Sequence, residues 1–343
     1  MSSLLPSYPY LIVGAGISGL AAASALLERG VSGGDIAMLD KGRQVGGRMA
    51  TRCFAGTRFD TGAQFFTCTQ PAFHDLIGRA AADGAVTEWY SRPARRGGLE
   101  GFPVWRGTDG MTALPKWIAD RLRESGVTIA LEQRVQRLQS TVDAVIVTSD
   151  RSEPIEAEHV IVTAPSPQAD TLLASAGLPT QNGAAAEFVP CIAALLWCDT
   201  PLEGLVNRHG WHTPEDPRIS WIADNAAKGV ADRAAMALTF QLAPDASSRI
   251  AREPESQREP HTRSLLTDWA DANRLPQVAD ALSQADQARF QVKYWRYARS
   301  IGAQQGPGYR AVAPRVTLAG DGWSPSRIES AFISGRAAGM VAE

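Results

Sequence analysis

The feature that most constrains this chain is the run Tyr10-Leu-Ile-Val-Gly-Ala-Gly-Ile-Ser-Gly-Leu20, followed by Ala21-Ala-Ala-Ser-Ala-Leu-Leu-Glu28. The short apolar run reads as a buried strand, the Ala- and Leu-rich stretch as a helix, and the glycines between them as a tight turn. Gly14, Gly16 and Gly19 have the spacing GxGxxG. The first glycine permits the turn, the second lets backbone approach a pyrophosphate, and the third allows close packing of helix on strand. Ile17 and Ser18 open the helix, where free N–H groups and the dipole favour an anion. Ile36-Ala-Met-Leu39 reads as a second strand ending at Asp40, 21 residues beyond Gly19, where a carboxylate can accept bonds from a ribose diol. Together these predict a parallel βαβ unit and a dinucleotide site.

Two later elements select FAD over a nicotinamide dinucleotide. In Lys41-Gly-Arg-Gln-Val-Gly-Gly-Arg48 the paired glycines admit a close approach of backbone, and Arg48 can make charge-assisted bonds to phosphate. Near the other end, Leu318-Ala-Gly-Asp321 precedes a helix over Ser326 to Val341. FAD is long enough to need both chain ends, with an acidic side chain on its ribityl hydroxyls and a helix N-terminus near the ring edge that gains negative charge on reduction. The plainer alternative makes Asp321 a helix cap and Arg48 a surface cation.

A length of 343 residues suits two domains. The fold class expected is α/β, with a Rossmann-like FAD-binding domain built from residues 1–69, 124–165 and 309–343. Residues 70–123 and 166–308 form a substrate domain of mixed sheet and helices. Lys plus Arg (34) nearly balance Asp plus Glu (36), so no overall field recommends nucleic acid or an anionic membrane as partner. No run of about 18 apolar residues suggests a membrane span. Cys53, Cys68, Cys191 and Cys198 show no paired metal or redox spacing, and no signal peptide is read, so a cytoplasmic location is expected. His74, His159, His209, His212 and His261 form no metal-type pair, so no metal is expected.

The order GxGxxG, Asp40, Gly46-Gly-Arg48, Asp60-Thr-Gly-Ala-Gln64 and Gly320-Asp321 resembles the flavin amine oxidase superfamily, and within it the chain looks most like renalases. The matching stretches are Asp40-Lys41 with Gly46-Gly-Arg-Met49, Gly62-Ala-Gln-Phe-Phe-Thr-Cys-Thr69, Asp224-Asn225, Trp295 to Arg299, and Ala319-Gly-Asp-Gly-Trp323. The resemblance implies an FAD-dependent oxidase that turns the 2- and 6-dihydro isomers of NAD(P) into NAD(P)+, with oxygen taking the electrons as peroxide. A dihydropyridine becomes aromatic when it gives up hydride, so such a reaction needs orientation and no general base.

The cofactor residues expected on this reading are Gly14, Gly16, Ile17, Ser18, Gly19, Asp40, Lys41, Gly47 and Arg48 at the first end. Gln64, Phe65, Val135, Gly320, Asp321 and Ile328 complete the set. No cysteine stands in a clear attachment context, so the FAD should be dissociable. Gln64, Phe66, Thr67, Asn225, Trp295, Tyr297 and Trp323 are the expected substrate residues, because aromatic walls with a few amides or hydroxyls suit a flat ring. Monoamine and polyamine oxidases hold a lysine near the flavin, for which Lys293 is the sole candidate. Two rivals stay open: an amine oxidase or desaturase of a small biosynthetic amine or heterocycle, and a flavin-binding protein without catalysis.

Overall fold

A computed structural model describes residues 5–91, 102–180, 187–198, 204–231, 236–284, 289–302, 308–323 and 325–342. The strand Ser7–Val13 runs through the middle of an eight-stranded sheet, parallel to Ile36–Leu39 on one side and Ile155–Val162 on the other. Thr128–Ala130 and Val316–Ala319 continue the parallel set outward. Val135–Ser140 and Val145–Ser149 add an antiparallel pair, and Tyr309–Ala313 closes the far edge. Leu11 and Ile12 are fully buried, as a strand covered on both faces requires.

The helix Ile17–Glu28 packs along the helix Ile328–Val341. Their backbones come close enough that a Cβ on Gly335 would lie 1.8 Å from Ser18 O, so only glycine fits there. The two chain ends are thereby locked over one face of the parallel sheet.

A second sheet of five antiparallel strands has the order Trp211–His212, Ile219–Asp224, Met236–Leu242, Glu187–Cys198, Phe290–Ile301. Alternation divides its residues between two faces. Leu196, Leu238 and Phe240 pack on the helices Pro244–Ala251, Glu255–Ala272 and Pro276–Gln284 through Ile250, Leu266, Trp269 and Leu282. Leu195 and Ala237 face the other way, onto Phe54 and Phe59 of the first unit.

Residues 70–123 do not follow the expected division. The helices Pro71–Ala82 and Ala113–Glu124 bury Phe73, Ile77, Leu114, Ile118 and Leu122 in one cluster with Ile12, Leu20 and Met38. Their apolar stripes, at helical spacing, are satisfied by the Rossmann-like core and not by the second sheet. Phe66–Thr67, Pro103–Gly107 and Val86–Ser91 form a small sheet alongside. Part of the loop-rich stretch expected between Trp89 and Trp105, residues 92–101, lies outside the described residues. Among the described residues no helix is long and apolar enough to cross a membrane, and no group of His, Cys, Asp and Glu could hold a metal.

Candidate functional site

A cleft of about 2150 Å³ lies between the parallel sheet and the second sheet. Its first wall is the glycine turn. Gly14 has φ +110° and receives no side chain easily, while its N–H donates to Leu39 O at 2.8 Å. The Asp40 carboxylate ties two loops together, accepting from Ala15 N at 2.7 Å and from Gly42 N at 2.6 Å. Each oxygen keeps a lone pair for a further donor such as a sugar hydroxyl. Nothing lies within 4 Å of a Cβ built on Gly16, and the buried Ser18 hydroxyl, in the first helical turn, has no hydrogen-bond partner. Open backbone and an unused donor at a helix N-terminus fit a pyrophosphate.

Gly14, Gly16, Ile17, Ser18, Asp40, Lys41, Gly47, Phe65, Val135, Gly320, Asp321 and Ile328 all line the cleft. Gly19 does not; a Cβ there would lie 1.9 Å from Gly14 O, so its part is helix packing alone. Lys41 donates to Gln168 Oε1 at 3.0 Å. Enclosure lowers its pKa, and repulsion from Arg134, Lys293 and Arg48 adds to this against the pull of Asp40.

Arg48 and Asp321 were assigned to different parts of the cofactor, and the fold brings them together. The guanidinium makes two bonds to the carboxylate, at 2.7 and 2.6 Å, while lying 5.6 Å from the centre of the Phe188 ring. Ser326 Oγ also donates to Asp321, at 3.3 Å. Asp321 is no helix cap, since the helix begins at Ile328 with Arg327 before it. Arg48 is no free surface cation.

On the substrate side Phe65, Phe66, Thr67, Trp295 and Tyr297 line the cleft. Phe66 serves two ends, since it is 3% exposed and meets Phe73 edge-on in the core. Trp295 is held by its indole N–H, which donates to Thr61 O at 2.7 Å. Lys293 stands beside it, Nζ 5.1 Å from its ring centre.

Three expected contacts are corrected. Asn225 is fully buried and fully used, accepting from Asp60 N and donating to Ala237 O and Thr239 Oγ1. Gln64 sits behind the wall, where its amide donates to Asp60 O at 2.7 Å and to Gly62 O at 3.1 Å. Trp323 packs against the cluster of Leu11, Val316 and Leu318, away from the cleft lining. Asn225 is spent on buried hydrogen bonds and Trp323 on packing, while Gln64 uses its amide nitrogen and keeps a buried Oε1 with no hydrogen-bond partner.

Sequence reasoning missed Lys228. Its ammonium and the Asp60 carboxylate are both wholly buried, 2.6 Å apart, and join the second sheet to the first unit. Burial pushes the Lys228 pKa down, against the pull of Asp60. Nothing in Ala226-Ala-Lys-Gly229 signals a buried cation. Cys191 was also missed as a cleft residue; burial pushes its thiol up to about 12, so it stays protonated.

The family model for NAD(P)-binding Rossmann-like domains matches residues 12–80. Renalase of Mus musculus is 28% identical over 172 residues, covering 46% of this chain and 47% of that protein. Polyamine oxidase 1 of Oryza sativa subsp. japonica is 39% identical over 94 residues, 27% of this chain and 18% of that protein. The matches thus span less than half of either curated relative. A putrescine oxidase variant superposes with a TM-score of 0.67 at 15% identity, covering 98% of this chain and 99% of that one. Cyclohexylamine oxidase from Brevibacterium oxydans gives 0.62 at 16%, with 97% and 98% covered; at such identities the likeness is one of fold. The model for flavin containing amine oxidoreductases matches residues 94–340, most of the chain. The chain therefore belongs to the flavin containing amine oxidoreductase family, with a Rossmann-like cofactor domain.

Proposed function

We propose that this protein oxidises the 2- and 6-dihydro isomers of NAD(P) to NAD(P)+ and passes the electrons to oxygen as hydrogen peroxide. The observation that carries this reading is the charge of the cleft. Eleven Lys and Arg line it against five Asp and Glu, in a chain whose net charge is -2. The diphosphate of one FAD does not use up that excess. A second diphosphate relieves the remaining repulsion, whereas a polyamine adds to it. The cleft is also larger than the roughly 300–1,000 Å³ of a single-ligand pocket, as two dinucleotides require. The 28% identity to mouse renalase points the same way.

FAD, when bound, supplies the hydride acceptor. The chain's own part is to hold the substrate ring and its phosphates. Trp295 offers a flat wall whose tilt is set by the bond to Thr61 O, and Tyr297 and Phe65 extend it. The Thr67 hydroxyl gives a polar handle at the same wall. Lys41, Lys116, Arg134, Lys293, Arg296 and Arg299 face the cleft as phosphate partners. No residue has to remove a proton, because aromatisation of the ring drives the transfer.

A second reading, an amine oxidase, draws on Lys293 beside Trp295. Peroxide release by the flavin-loaded protein separates the two. Faster turnover with the 2- and 6-dihydro isomers than with NADPH, putrescine or spermidine is the expected result. Turnover with the amines alone would replace the dinucleotide reading with the amine one.

A further inference from the structure

Part of the second sheet's grip on the first unit falls on the segment Asp60 to Ala63, which leaves the strand Thr57–Asp60 and bends at Gly62. One edge of this segment belongs to the first unit: Thr61 N donates to Ala50 O at 3.0 Å and Ala63 N to Arg48 O at 2.9 Å. The other edge faces the second sheet, and no described strand pairs with its carbonyls. Side chains take them instead. Thr239 Oγ1 donates to Asp60 O at 3.1 Å, Trp295 Nε1 to Thr61 O at 2.7 Å, and Gln241 Nε2 to Gly62 O at 2.5 Å.

Thr239 and Gln241 are alternate residues of the strand Met236–Leu242 and point to one face, so both reach this segment.

Gly62 passes this grip onward. A Cβ there would lie 2.0 Å from Arg48 O, so the segment rests directly on the backbone of Arg48. The guanidinium of that residue holds Asp321 by two bonds. A shift of Gly62 must therefore move Arg48, and with it the pair that borders the cofactor space.

The geometry points to Gln241 as a positioning residue: by donating to the Gly62 carbonyl it sets the cleft floor, and through Gly62 it sets where Arg48 and Asp321 stand against FAD. This role is independent of which substrate the cleft accepts. Neither the amide nor the carbonyl it holds needs to react.

Two variants test it, Gln241→Leu and Gln241→Glu, read by FAD titration of flavin-free protein and by visible circular dichroism of the bound flavin. Loss of one hydrogen bond should weaken FAD about five- to tenfold in Gln241→Leu. The flavin dichroism should change, while the melting temperature of the flavin-free protein stays close to the parent's. In Gln241→Glu the ionised carboxylate has no proton to donate, so a similar loss is expected near neutral pH. Relative to the parent at each pH, affinity should return as the pH falls and the carboxyl regains its proton. Parental FAD affinity and dichroism in both variants would overturn the assignment. So would a Gln241→Glu deficit that does not change with pH, and this arm decides the matter should Gln241→Leu fail to fold.

Discussion

Lys228→Met is the sharpest test of how the two sheets are joined. Methionine keeps most of the length and volume of lysine but removes the ammonium that sits 2.6 Å from Asp60, where both side chains are fully buried. Asp60 then keeps two donors, Thr51 Oγ1 at 2.6 Å and Met111 N at 2.8 Å. Removing one partner of a buried pair costs about 3–5 kcal/mol, and the surviving donors put the expectation at the lower end, about 3 kcal/mol. One kcal/mol moves the melting temperature of a folding unit of about 150–250 residues by about 2–4 °C, so a fall of about 6–12 °C is expected. The assay is thermal melting of the flavin-loaded protein by far-ultraviolet circular dichroism. Adding Asp60→Asn to the variant removes the stranded charge and should recover part of the loss. A fall under about 2 °C, or a double variant less stable than Lys228→Met, would refute the reasoning.

Arg48→Ala and Asp321→Ala should each weaken FAD by about one to two decades, from charge-assisted bonds of roughly 1.5–3 kcal/mol. Because the two residues share one ion pair, the double variant should lose less than the sum, as read by fluorescence titration of flavin-free protein. With native protein near pH 8, a thiol reagent should label Cys53 quickly and Cys68 and Cys191 slowly, since Cys53 is exposed and burial pushes the other two up to about 12. Denaturant should expose all four cysteines and release FAD free of the chain; flavin that stays with precipitated protein would show a covalent link. Lys41→Met should raise the melting temperature of the flavin-free protein near pH 7 only slightly, because the side chain is exposed and screened, while weakening FAD. The native pKa of Lys41 lies below the 10.5 of a free lysine, so between the two values the unfolded chain holds more protons and stability rises with pH. Melting curves of parent and variant should therefore converge toward alkaline pH, and a gap that widens would contradict the assigned sign.

What could be read in advance was what the chain writes locally. The turn of Gly14 and Gly16, the strand ending at Asp40 and the Gly320-Asp321 corner each depend on neighbours within one strand, turn and helix, and spacing reports them. The second sheet was legible only as a region, because its antiparallel order depends on pairings between distant strands. The helices over residues 71–82 and 113–124 were misassigned for a similar reason: an apolar stripe shows that a helix is covered, and not by which core. Asn225 and Trp323 have the chemistry of ligand contacts, yet their partners are backbone groups and core residues that only the fold brings near, while Gln64 turns onto the nearby carbonyls of Asp60 and Gly62. Lys228 finds Asp60 168 positions away, and Arg48 finds Asp321 273 away. No window of sequence holds either pair.

The central claim is that this flavoprotein draws hydride from an anionic dihydropyridine held in a cationic cleft. Anaerobic stopped-flow tests it at the flavin itself, mixing loaded protein with the 2- and 6-dihydro isomers of NAD(P), with NADPH, and with primary and secondary amines. Ordinary NADPH carries its hydride opposite the ring nitrogen, and a misplacement of about 1 Å can cost on the order of a hundredfold. The account predicts rapid bleaching of the flavin band by the 2- and 6-dihydro isomers, at least about a hundredfold slower bleaching by NADPH, and none by the amines. Rapid bleaching by an amine with none by the dihydro isomers would contradict it.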